Sequence, residues 1–571
     1  MQWILRVNMG TRKAVREALP VGYVGLGGRA LTSKVVLDEV PPTCDPLGPD
    51  NKLVFAPGLL AATMVSSSGR LSVGGKSPLT GGIKEANSGG IVANQLARLG
   101  YAAVVVEGRP SDRNHWYLLK VDNSGAEVLV CDGLSGVSTY ETARRIRQKF
   151  GDNVGVICIG PAGEMMMRAA SVMVSEISGE PNRAAARGGL GAVMGSKRLK
   201  AIVVDDNGTE RRKAANEEAF QQEARLFNKE LFENPKTKSQ AMYGTAAIVA
   251  AVNSIGAFPT RNFSSGSFEH AEEITGQKIY EHCIERGGEG NPTVSCMPGC
   301  VIKCGNVYPD PLGRAIVSTL QYETIGLMGS NLGIGTLDGI ATLNRICNEL
   351  GLDTIEMGAA LGVAAEAGLF NWGDAQQAAK LLKEVAEGTT LGRVLGQGAV
   401  VTGTVFGVER VPVVKGQAIP AYDPRSLKGN GVTYSTSPMG ADHTAGNAFG
   451  SRDKVNQLLP DGQVPLSREL QIFAAVIDAS GLCLFARPPV MSNRMRLINL
   501  INYMYGFDWG EDKFDWLGKQ VLKWELEFNR RAGFTAAHDR LPEYMYREPL
   551  PPHNTVFDVP DEEMIQTLVF D

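Results

Sequence analysis

The chain has 571 residues, a formal net charge of −4 and an ordinary apolar content. That length provides core for two to four domains, and the near-balanced charge excludes a nucleic-acid binder that works through a basic face. No stretch approaches the roughly 20 apolar residues of a membrane helix, and Met1-Gln2-Trp3-Ile4-Leu5-Arg6-Val7 lacks a signal-peptide core, so the expected compartment is the cytoplasm.

Residues 1 to about 208 read as β-rich. Short apolar segments recur between Gly, Pro, Asn and Asp: 53–55, 103–106, 116–119, 154–159 and 201–204. A helix is expected over 139–149, with Ser138 and Glu141 as a capping box. The 67 glycines concentrate partly in four loops, at 25–29, 68–82, 87–90 and 187–197. The last is neither a dinucleotide fingerprint nor a P-loop, because its glycines run G-x-G-x-x-x-G and Ser196 separates Gly195 from Lys197. Together the loops carry Arg29, Arg70, Lys76, Arg187 and Lys197. Backbone N–H groups and cations in this arrangement suit a large anionic, phosphorylated ligand; tight β-turns are the alternative.

From residue 209 the pattern turns helical, over 217–230, 338–350 and 374–387, the last capped by Asp374. A third portion, 416–571, is again mainly helical, clearest at 467–479 and 512–531, with an extended tail from Pro542. The expected fold is therefore α+β: a β-rich part at 1–208, then helical parts at 209–415 and 416–571. One internal echo stands out. Asn348-Glu349-Leu350-Gly351-Leu352-Asp353 and Asp478-Ala479-Ser480-Gly481-Leu482-Cys483 share a form, each after an amphipathic helix with Gly as its stop.

Three of the nine cysteines, Cys296, Cys300 and Cys304, fall within nine residues. On a straight helix the outer two would stand about 12 Å apart, so the segment must curl, and Pro298 and Gly299 permit that. A fourth sulfur has to come from elsewhere, and Cys483 is the best candidate. Three local cysteines with one remote suit an iron–sulfur cubane. Structural zinc more often takes two close pairs, and unrelated buried thiols are the remaining reading. The other five cysteines show no spacing logic.

With these pieces in place the chain resembles the aldehyde:ferredoxin oxidoreductase family, the tungsten-pterin enzymes. The resemblance runs almost end to end and is densest at Ser68-Gly69-Arg70, Lys76 to Gly81, Ala86 to Gly90, Gly160 to Glu164, Arg187 to Lys200, Tyr322-Glu323, Leu350 to Asp353, Ala421 to Arg425 and Asp478 to Phe485. It implies a β-rich base under two helical domains, and one tungsten held by two pyranopterins whose phosphates share a Mg2+, with a [4Fe-4S] cluster nearby. By the same resemblance Cys296, Cys300, Cys304 and Cys483 hold the cluster, and Arg70 lies between cluster and pterin. Asp478 serves one pterin, Asn348 and Asp353 lie in the loop serving the other, and Arg187 and Leu482 are further cofactor-binding positions. The carbonyls of Asn87 and Ala184 reach the Mg2+, and Glu323 and His443 are the acid/base pair. The implied reaction oxidises an aldehyde to a carboxylic acid and passes electrons to ferredoxin or an iron–sulfur partner subunit. The alternatives are a reductase of a carboxylic acid or acyl thioester within a multi-subunit complex, and a non-catalytic electron-transfer subunit.

Three departures matter. The triplet has one residue more than the family's usual C-x-x-C-x-x-x-C; Asn348 stands where the echo has Asp; and Thr342 and Arg345 occupy the positions of a metal-bridging Glu-x-x-His in known homodimers. A different oligomer or hetero-oligomer is therefore expected.

Overall fold

The computed structural model describes residues 2–570. Residues 3–204 build two six-stranded sheets. The first contains β1 (Trp3–Asn8), β2 (Lys13–Ala18), β3 (Leu53–Pro57), β4 (Leu71–Lys76), β5 (Ile83–Ser88) and β6 (Tyr101–Glu107). The second contains β7 (Tyr117–Asp122), β8 (Gly125–Val130), β9 (Gly155–Cys158), β10 (Val172–Val174), β11 (Arg183–Ala185) and β12 (Leu199–Val204).

The orders are β2-β1-β6-β3-β4-β5 and β8-β7-β12-β9-β10-β11: the same sheet twice, each strand six further along. In each sheet one pair alone is parallel, β1 with β6 and β7 with β12. The helices repeat too. Helix α1 (Gly28–Glu39) precedes β3 as α3 (Thr139–Phe150) precedes β9, and α2 (Val92–Arg98) precedes β6 as α4 (Leu190–Ser196) precedes β12. This duplication is invisible in the residues, because the paired strands share only apolar character.

The strands read as apolar runs because both faces are buried. Val104 and Val106 point into a core shared by the two sheets, whereas Ala103 and Val105 point to a second core under α1. Ser138 caps α3 as expected, its hydroxyl accepting from the Glu141 N–H at 3.2 Å.

The remaining chain is mostly helical, so the α+β expectation holds. It includes α5 (Glu217–Glu233), α6 (Tyr322–Met328), α7 (Leu337–Leu350), α8 (Thr354–Glu366), α9 (Ala375–Glu387), α10 (Gln463–Ser480) and α11 (Asp512–Arg531). Helix α10 starts four residues before the expected point because Pro465, in its first turn, removes no needed donor. A small sheet interrupts the helices: β13 (Asn291–Val294), β14 (Gly305–Pro309) and β15 (Ala315–Ser318). The tail wraps the surface with helical turns at Tyr544–Arg547 and Asp561–Met564, and buries Phe557. Among the described residues no helix is long and apolar enough to cross a membrane.

Candidate functional site

The cysteine triplet is the loop of a hairpin, closed where Val294 pairs with Gly305 on β13 and β14. The turn at Ser66-Ser67 joins this loop to the far one. Ser66 Oγ donates to the Gly299 carbonyl at 2.9 Å and accepts from the Val301 N–H at 3.1 Å. Ser67 Oγ donates to Cys300 Sγ at 3.3 Å, and the Ser67 carbonyl accepts from the Cys483 N–H at 2.8 Å. All four predicted thiols therefore gather here, 179 residues separating Cys304 from Cys483 (483 − 304). Every one is a free cysteine.

Their electrostatics are those of neighbours in a dry place. Cys300 is drawn down to about 6 by Cys296 and, despite burial, by Ser67. Burial, with Cys483 beside it, pushes Cys304 up to about 12, and burial raises Cys483 against the pull of Arg70. Among the described residues no three His, Cys, Asp or Glu side chains converge on a single-ion site.

The two echoed loops occupy equivalent places on the two sheets. Gly351 and Gly481 both end their helices in the left-handed region (φ 69° and 82°). The Gly481 carbonyl accepts from the Arg70 N–H just before β4 (3.0 Å), as the Gly351 carbonyl accepts from the Ser171 N–H just before β10 (2.8 Å). Each loop lies flat on a glycine. A Cβ on Gly58 would stand 2.1 Å from Gly481 Cα, and one on Gly160 2.2 Å from the Leu350 carbonyl. Asn87 and Ala184 are equivalent as well, opposite the second residue of β4 and of β10.

The two halves differ in charge. In one, the Asp478 carboxylate lies 3.4 Å from Arg29, whose guanidinium also grips Glu525 at 2.8 and 2.9 Å. Burial and the neighbouring Glu85 raise the Asp478 pKa against Arg29 and Arg70. In the other, the matching pair is neutral: Asn348 Nδ2 donates to the Tyr140 hydroxyl at 3.4 Å. That hydroxyl donates onward to Asn182 at 2.6 Å, and Arg345 covers the ring at 3.7 Å. The Asn348 amide nitrogen is thereby turned aside, and its side-chain oxygen is left to accept.

Near the junction of the halves, Glu323 sits in the first turn of α6. Its Oε2 accepts from the Ala421 N–H at 2.7 Å, and Oε1 lies 3.5 Å from His443 Nε2 without a hydrogen bond. His443 Nδ1 is likewise buried and unpartnered. Burial raises the Glu323 pKa, His443 offsetting part of it. Tyr422 walls the pair, its ring 6.3 Å from His443 and 5.0 Å from Tyr322.

Of the loop cations, two serve the fold and not a ligand. Lys76 donates to the carbonyls of Pro42 and Cys44, and Lys197 to those of Asn51 and Gly108. A loop position tells nothing of where a long side chain ends. Arg29 is bound up with carboxylates, and Arg187 donates to the carbonyls of Ala418 and Ala441 (2.5 Å each) and lies 3.3 Å from Asp353. Asp353 also caps α8 through Oδ1, so both its oxygens are engaged within the protein. Arg70 donates to both the side chain and the carbonyl of Asn87, beside Gly89, and a Cβ on Gly89 would meet Cys296 Sγ at 3.0 Å. Leu482 is buried next to the thiols.

Sequence reasoning missed several members. Lys84 on β5 pairs with Asp442 at 2.6 Å and so fixes the residue before His443. Burial would raise the Asp442 pKa, but Lys84 and Arg187 hold it well below the usual carboxylate range. Arg183, paired with Glu176, lies close enough to feel Cys296 and Cys304. The one available signal was adjacency in sequence, Asp442 to His443 and Arg183 to Ala184.

Comparison with known proteins shows the family to which this fold belongs. Residues 4–206 match the family model for the N-terminal domain of aldehyde ferredoxin oxidoreductase, and residues 223–568 match that for its domains 2 and 3. The chain is 34% identical to a tungsten-containing aldehyde ferredoxin oxidoreductase of Thermococcus kodakarensis, over 96% of this chain and 91% of that one. It is 28% identical to the WOR-like subunit of an aliphatic sulfonate oxidoreductase of Pyrococcus furiosus, over 84% and 78%. The fold is shared with a chain of the active-site complex BamBC of benzoyl coenzyme A reductase, solved with 1,5-dienoyl-CoA (TM-score 0.81, 19% identity, 99% and 93% covered). This chain belongs to the aldehyde ferredoxin oxidoreductase family.

Proposed function

We propose that this chain oxidises aldehydes to carboxylic acids, RCHO + H2O → RCOOH + 2 H+ + 2 e−. The observation that carries this reading is the half-buried Glu323–His443 pair, 3.5 Å apart, in which Glu323 Oε1 and His443 Nδ1 are both buried without a hydrogen-bond partner. The residues fit the groups the reaction needs. Four sulfurs from two loops suit a [4Fe-4S] cluster held by Cys296, Cys300, Cys304 and Cys483. The equivalent loops suit two pyranopterins, one at Asp478 and Leu482, the other at Asn348 with Arg187 and Asp353 alongside. Asn87 and Ala184 offer the equivalent carbonyls for a shared Mg2+. When bound, tungsten-pterin supplies two-electron redox chemistry and the cluster a one-electron relay.

The protein's own part is proton handling and orientation. Glu323, held by the Ala421 N–H, takes the proton of the attacking water. His443, aligned through Asp442 and Lys84, hydrogen-bonds the aldehyde oxygen. The Tyr322 and Tyr422 rings keep bulk water from the reacting carbon. Electrons leave where Pro298, Gly299 and Lys303 bring the cysteine loop to the surface, toward ferredoxin or an iron–sulfur partner subunit.

The test is anaerobic oxidation of aldehydes with a viologen dye as acceptor. Turnover is expected in the wild type and a loss of about 100-fold or more in Glu323→Gln with metal content unchanged. Reduction of an acid or acyl thioester with no aldehyde oxidation would put the reductase reading in its place.

A further inference from the structure

The rim of the site, on the side where Thr444 and Gly450 are exposed, carries two arginines outside the machinery described so far. Arg452 packs over the Phe449 ring at 3.5 Å, and Phe449 stands 6.0 Å from Tyr422, which stands 6.3 Å from His443. Arg487 reaches the same place from the loop after Cys483, its Nη2 3.2 Å from where a Cβ on Gly450 would be. Both guanidinium groups act electrostatically on Tyr422.

These two share with Arg70, which donates to Asn87, the lack of a carboxylate partner among the described residues. The buried arginines around the site have carboxylates: Arg29 has Glu525 and Asp478, Arg183 has Glu176, Arg187 has Asp353, and Arg425 has Asp423. Among the described residues neither Arg452 nor Arg487 has a carboxylate within ion-pairing distance. Among the described residues Arg452 donates to the Phe449 carbonyl alone and the Arg487 side chain makes no hydrogen bond. The acid nearest Arg452, Asp453, is exposed; the groups facing Arg487 are the Tyr422 phenol and the Cys483 thiol.

We propose that Arg452 and Arg487 form an oxyanion subsite for the far end of the substrate, so that the preferred substrates are aldehydes bearing a remote carboxylate. A guanidinium offers paired N–H donors that match a carboxylate edge, and the phenylalanine and tyrosine rings between the arginines and His443 hold the apolar spacer. This deepens the aldehyde reading and rests on it.

The test compares kcat/KM on matched pairs, succinic semialdehyde against butanal and 4-carboxybenzaldehyde against benzaldehyde, in the holoenzyme, in Arg487→Met and in Arg452→Met. In the wild type the charged member is expected to lead by at least about ten-fold, the worth of a charge-assisted hydrogen bond. In each variant that ratio should fall toward about one, chiefly through KM. A sulfonated or phosphorylated aldehyde run alongside shows which oxyanion the subsite favours; a lead of either over the carboxylates overturns the carboxylate assignment. Equal rates on charged and neutral aldehydes in the wild type would overturn the subsite and leave aldehyde oxidation standing, whereas oxidation of neither would remove both. Iron content and the reduced-cluster EPR signal are measured in Arg487→Met because Cys483 is near. Iron loss with an unchanged charged-to-neutral ratio would assign Arg487 to the thiol group and overturn its part in the proposal.

Discussion

Glu323 keeps its proton to higher pH than a solvated carboxylate, because burial disfavours the charged form more than His443 favours it. Below its folded pKa it cannot accept a proton, so turnover is lost as pH falls through a value above the ordinary carboxylate range. The acid limb of the kcat profile should show that midpoint and vanish in Glu323→Gln; a limb that persists would move the base elsewhere. Tyr140 makes a second case. Its oxygen holds the Asn348 amide nitrogen, so Tyr140→Phe frees the amide to turn its donors toward the ligand. The tungsten-to-iron ratio should drop, by elemental analysis, and an unchanged ratio would speak against a pterin at Asn348. The cysteine triplet was legible because a short local pattern carries it, and Glu323 and His443 were legible only through the family resemblance. Asp442 with Lys84 was not, its partners lying 358 residues apart, and no motif marks Arg487.

Gly58 and Gly160 occupy the same place in the repeated sheets, yet substitution should separate them. A methyl at either meets backbone at about 2 Å, and the displaced loop should cost about 2 kcal/mol or more, seen as a lower unfolding temperature. Gly58→Ala shifts the loop carrying Cys483 and should also lose iron. Gly160→Ala shifts the Leu350–Asp353 loop and should keep it. Equal iron in both would contradict the assignment of Cys483. The glycine-rich loops were visible in the sequence as turns, but a glycine does not announce what presses on it. Two of the cations beside them proved to hold the chain's own carbonyls. The duplicated sheet was likewise hidden, because hydrogen-bond order is a property of pairing and not of any one strand.

At the scale of the whole molecule, two copies of one sheet share a core, each carries a helix-ending loop, and the four thiols gather beside the second of those loops. The α+β class was readable because strands and helices separate along the chain, the last long strand ending at Val204. The echo of the two helix-ending loops was legible as a repeated form, and the matching positions of Asn87 and Ala184 extend that equivalence to the strands. Chelation offers one check on the assembly: stripping iron from the four thiols should abolish transfer to the dye while the sheets stay folded by circular dichroism. The most direct measurement is a metal count on chain purified without oxygen. About four iron atoms and about one tungsten per chain are expected. Zinc in place of iron, or iron with neither tungsten nor molybdenum, would contradict the account.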